Sequence, residues 1–83
     1  MIKYKNEVFE DYFIDPETAI ITDKYGNVQK TKVYKGRTYW KCREVYRIQI
    51  HTHQGYIPRK SIHHIDKNKL NDSLSNLMYV SNK

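Results

Sequence analysis

The sequence predicts one α+β domain: a small antiparallel sheet, then one short helix, then two strands enclosing a polar loop. Three observations carry this. Through residue 46, short aromatic or β-branched runs are broken by isolated Gly and Pro turn signals. One stretch, VYRIQIHTHQ, has apolar residues at helical rather than alternating spacing and is followed by Gly55. Beyond Pro58 the chain returns to strand-like patterning on both sides of an Asn/Asp-rich segment, SIHHIDKNKLNDSLSNLMYV, residues 61–80.

Taken in order, YFI at 12–14 and AIIT at 19–22 read as two short strands around DPET, because Asp and Pro initiate turns while the flanks are aromatic or β-branched. DKYGN, 23–27, is a second turn. Residues 28–46 predict two further strands with KGR, 35–37, at the hairpin tip, so the small sheet spans 10–46. Arg37, Lys41 and Arg43 fall at near period-two spacing there, which predicts one basic face. The helix is expected over 46–54, with Gly55 as its stop. A basic pair, Arg59 and Lys60, opens the last unit, 59–83, with strands at 61–65 and 76–81 and a loop at 66–73.

With 83 residues the chain makes one domain, and one this short buries only about 60–65% of its unfolded surface. Eight tyrosines stand in for missing aliphatic volume, since a Tyr ring covers a core while its hydroxyl stays wet. Fifteen Lys and Arg against nine Asp and Glu give a net charge of +6, which favours an anionic partner. With no long apolar run, a nucleic acid is favoured over a membrane. Cys42 is the single cysteine, which excludes an intramolecular disulfide and a thiol-pair zinc site and fits a reducing setting. The opening MIKYKNEVFEDYF has neither an apolar core nor a cleavage site of a signal peptide, so a cytoplasmic location is expected.

The segment from 61 to 80 is where chemistry concentrates. Hydrolysis of a phosphodiester needs a base to take a proton from water, a hard cation on the phosphate, and a group that aims the base. An imidazole suits the first task because its ordinary pKa lies near neutrality. His63 and His64 are adjacent, so on a strand they point to opposite faces unless the strand is distorted. The amide of Asn76, opening the second strand, suits the aiming role. Taken singly, each of these, like Asn71 and Asp72, reads as an ordinary exposed or turn residue; it is the constellation that points to a site. His51 and His53 read as exposed or packing residues, and Tyr39 and Trp40 as core.

HHIDKNKLNDSLSNL resembles the H-H-I-D-G-N-K-L-N-N-S-L-E-N-L core of the HNH homing-type endonucleases common in phages and mobile introns. The resemblance extends upstream through VYRIQIHTHQGYIPRK, and FIDPETAIIT is similar to a D-P-E-T-G opening. It implies a ββα-metal finger acting on DNA inside a bacterial host. By position, His64 would be the general base, Asn76 its orienting residue and His63 a ligand of a divalent metal, Mg²⁺ or alternatively Mn²⁺. Arg37, Lys41, Arg43, Arg59, Lys60, Lys67 and Lys69 would contact DNA.

Three departures from that pattern stand out. Lys67 and Ala19 replace two glycines, and the second metal ligand, nine residues beyond Asn76, would fall past Lys83, which leaves Asn82 as its substitute. The finger is therefore expected to lack its closing helix. Leu74, Leu77 and Val80 would then form an apolar patch open to a protein partner or a second copy. The function implied is a nicking endonuclease of impaired activity. The alternative is an inactive derivative that binds DNA or protein, such as a phage-encoded inhibitor of a host enzyme or defence system.

Overall fold

The structure, a computed structural model, describes Met1–Ser81. Its elements are β1 (Ile2–Tyr4), β2 (Glu7–Phe9), β3 (Tyr12–Ile14), β4 (Ile21–Asp23), β5 (Lys32–Tyr34), β6 (Arg37–Trp40), β7 (Arg43–Glu44), α1 (Val45–Gln54), β8 (Lys60–His64), a 3₁₀ turn at Leu74–Asn76, and β9 (Leu77–Ser81). Among the described residues the strands form four small antiparallel sheets, β1-β2, β3-β4, β5-β6-β7 and β8-β9, where one sheet plus a finger was expected. The β1-β2 hairpin, with Ile2 opposite Phe9, has no Gly or Pro at its tip; Lys5 takes the positive φ instead, so the sequence carries no turn signal there.

Local chemistry explains the turns. Between β3 and β4, the Asp15 carboxylate accepts hydrogen bonds from the backbone N–H of Glu17 (2.7 Å) and Thr18 (3.2 Å), and Ala19 closes the turn at φ 60°. The β5-β6 tip is Lys35-Gly36, both at positive φ, the geometry whose twist matches the flanking strands. A second such reversal, at Lys41-Cys42, places Arg43 opposite Trp40. That reversal overturns the single basic face: alternation does not carry through a turn, so Arg37 shares its face with Tyr39 and Glu44, while Arg43 shares the other with Trp40.

Helix α1 starts one residue before the expected 46–54 and divides the core in two. Val45 and Ile48 join Ile2, Ile14, Ala19, Ile21 and Trp40 in a cluster that ties the helix to the N-terminal hairpins. Tyr46 and Ile50 join Leu77 in a second cluster, edged by Ile62, Leu74 and Tyr79, that ties it to the finger. Full burial of each aliphatic side chain stabilises by roughly 1.5–3 kcal/mol. Leu77 is 4% exposed and Leu74 packs on the same cluster, so α1 covers most of the apolar patch expected to be open to a partner.

Gln49, fully buried between the two clusters, rivets the halves together. Its Nε2 donates to the carbonyls of Asp15 (2.8 Å), Pro16 (3.2 Å) and Asp72 (3.1 Å), and the Leu74 N–H donates to Pro16 O (2.8 Å). The DPET turn thus serves as a seat for the finger loop. Among the described residues no helix is long and apolar enough to cross a membrane.

Candidate active-site cleft

Strands β8 and β9 pair from Lys60↔Ser81 to His64↔Leu77; β8 lies one residue earlier than the sequence indicated, and β9 starts one residue later. The loop between them is drawn shut by Asn76. Its Oδ1 accepts from the Asp66 N–H (2.9 Å), and its Nδ2 donates to Asp66 Oδ1 (2.9 Å) and to the Asn71 carbonyl (2.9 Å). The backbone repeats the closure with Ile65 N–H to Asn76 O at 2.7 Å. Asp66 also accepts from Asn71 Nδ2 and from the Asn68 N–H, and these hydrogen bonds, Asn71 first, hold its carboxyl below the usual range. Lys67 sits at φ 65°, so this loop and the β3-β4 turn keep a left-handed backbone at both positions where a glycine was expected.

The amide oxygen that was expected to orient the imidazole is therefore committed to the Asp66 N–H. The His64 ring is met instead by a residue the sequence reading left as an ordinary turn aspartate: His64 Nε2 lies 3.1 Å from Asp72 Oδ1, with both side chains buried. Burial pushes the Asp72 carboxyl above its usual range, opposed by the hydrogen bond from His64. Tyr46 of α1 packs edge-on against the imidazole, with ring centroids 5.0 Å apart. The sequence signal for Asp72 is weak, because an acidic residue eight positions after a histidine becomes its neighbour only once the loop folds back.

His63 is exposed and His64 buried, the alternation that adjacent strand residues impose. Both nonetheless line one cleft of about 200 Å³, together with Arg37, Ile62, Lys67 and Lys69. Arg37 arrives from β6 and is held by Glu44 Oε2 (2.8 Å) and by the Tyr46 hydroxyl (3.1 Å). The other expected DNA contacts lie apart from the cleft. Arg43 is paired with Glu7. Lys41 lies over the Tyr12 and Trp40 rings and lines a separate open hollow of about 610 Å³ with Lys30, Lys32, Tyr34 and Tyr39. Lys60 donates to Ser81 Oγ (3.1 Å), and Arg59 precedes it, exposed. Asn82, the proposed substitute ligand, lies outside the described residues. Among the described residues no group of three or more His, Cys, Asp or Glu converges as a metal cage.

Comparison with known proteins agrees with this geometry. Residues 47–83 match the family model of the HNH endonucleases. A solved structure of the HNH homing endonuclease I-HmuI, described as binding and cleaving DNA, superposes with a TM-score of 0.72 at 22% identity. The match covers 98% of this chain and 52% of that one, so the chain spans about half the length of that protein. No curated protein sequence matches the chain. Residues 47–83 are thus similar to the HNH endonucleases, and the chain shares the α+β fold of a solved HNH homing endonuclease.

Proposed function

We propose that this chain is a DNA-binding, metal-dependent endonuclease that hydrolyses one phosphodiester at a time, with His64 as general base. The observation that carries the reading is the single cleft in which His63, His64, Arg37, Lys67 and Lys69 meet. Cations from two separate elements, β6 and the finger loop, suit the non-bridging oxygens of a backbone phosphate. The imidazole of His64 would take the proton from the attacking water. Asn76 contributes indirectly, by holding the loop that carries Lys67 and Lys69.

HNH nucleases work with a divalent metal ion, and when bound such an ion neutralises developing charge on the phosphate. The described residues fit it only in part. His63 offers one imidazole on the cleft wall, and the remaining ligands would be phosphate oxygens and water, a set that suits Mg²⁺ or Mn²⁺.

The test is conversion of supercoiled plasmid to open circle with Mg²⁺ or Mn²⁺, against chelator. His64→Ala should slow nicking by about 10²- to 10⁴-fold while DNA binding persists. A His64→Ala protein that nicks at the parent rate removes His64 from the chemistry. A second reading, DNA binding without cleavage, is favoured by a cleft richer in cations than in metal ligands. It predicts salt-dependent binding with no open circle at any metal concentration.

A further inference from the structure

We infer that Asp72 is the positioning residue of His64: its carboxylate holds the imidazole as the Nε2–H tautomer, so that Nδ1 is the nitrogen left to accept a proton from water. This deepens the nuclease reading above and rests on it for its catalytic consequence.

Three observations lead here. A carboxylate only accepts hydrogen bonds, so the 3.1 Å contact between Asp72 Oδ1 and His64 Nε2 places the ring proton on Nε2. Nδ1 has no hydrogen-bond partner among the described residues, and His64 lines the open cleft. Asp72 also approaches the ring away from the cleft. It is absent from the lining of the His63–His64 cleft and instead lines a different hollow with Thr18, Ala19 and Leu70.

Asp72 is itself held in place. Its backbone carbonyl accepts from Gln49 Nε2 at 3.1 Å, so the helix that packs Tyr46 against the imidazole also anchors the residue that bonds it. Ring and carboxylate are thereby fixed from one rigid element, as a base needs when its aim must hold to within about half an ångström. The amide of Asn76, by contrast, makes its hydrogen bonds to Asp66 and Asn71 and shapes the loop.

The experiment reads the tautomer directly, by long-range ¹H–¹⁵N correlation spectra of the neutral His64 ring, beside plasmid nicking. The whole chain should show the Nε2–H form. Asp72→Asn, equal in size but able to donate as well as accept, should shift part of the population to Nδ1–H. It should slow nicking by roughly 10- to 100-fold, the usual cost of losing the partner that orients a histidine, at an unchanged half-saturating metal concentration. The tautomer of the unsubstituted protein is read without any variant, so it is independent of how Asp72→Asn packs. An Nδ1–H ring in the unsubstituted protein, as a protonated Asp72 would produce, overturns the inference, and so does a tautomer indifferent to Asp72→Asn. An Nε2–H ring that Asp72→Asn shifts, in a protein that nicks no DNA, upholds the positioning by Asp72 and refutes the nuclease reading separately.

Discussion

Asn76→Ala is expected to open the finger loop without acting on the imidazole. The substitution removes three side-chain hydrogen bonds, to the Asp66 N–H, the Asp66 carboxylate and the Asn71 carbonyl. Each is worth about 0.5–1.5 kcal/mol net, and because Asn76 is 8% exposed, water replaces its amide only in part. The expected loss is roughly 2–3 kcal/mol, out of about 4–12 kcal/mol for a domain of this length. That corresponds to a fall in melting temperature of roughly 10–20 °C, read by circular dichroism with urea midpoints as a cross-check. Asn76→Asp should be at least as damaging at neutral pH, since it keeps the acceptor for the Asp66 N–H but sets a second carboxylate 2.9 Å from the first. A melting temperature for Asn76→Ala within 2–3 °C of the parent, on the order of the scatter of a neutral surface change, would refute the closure of the loop by this side chain.

Three further outcomes are expected. Gln49→Glu should leave little folded protein at neutral pH, because a buried carboxylate would face three carbonyl oxygens with no donor to offer them; near-parental circular dichroism would refute the rivet. Neutralising Arg37, Lys67 and Lys69 together should flatten the log–log salt dependence of DNA binding by roughly three units, whereas Arg43→Gln, already paired with Glu7, should change it little; equal effects would detach binding from the cleft. Burial among Tyr4, Tyr56 and Tyr79, with Arg47 and Lys5 nearby, lowers the His51 pKa to about 4, so the folded state resists its protonation. Its contribution is complete above pH 6.5 and falls away toward pH 4, by about 3 kcal/mol, and urea midpoints that stay level across that window would refute it.

Much of the architecture was legible without coordinates, because local physics writes it locally. Helix α1 follows from the spacing of Val45 and Ile48 and from Gly55, whose N–H bonds back to His51 O. The turns at Asp15 and at Lys35-Gly36 follow from side chains that satisfy their own backbone or accept a positive φ. The run from His63 to Leu77 declared its class through residue types at close spacing. What stayed hidden depends on contacts that sequence distance does not encode. The tight Lys41-Cys42 reversal divides the basic residues between two faces, because non-glycine residues there take a conformation their identity disfavours. The sequence reading gave the His64 imidazole to Asn76 and left Asp72 as a turn residue, although both offer acceptor atoms within one loop. In the fold Asp72 meets the ring, its carbonyl anchored by Gln49 from α1, while the amide of Asn76 is used in closing the loop neck. Hydrogen-bonding capacity is a property of a residue, and its allocation among competing partners is a property of the folded chain.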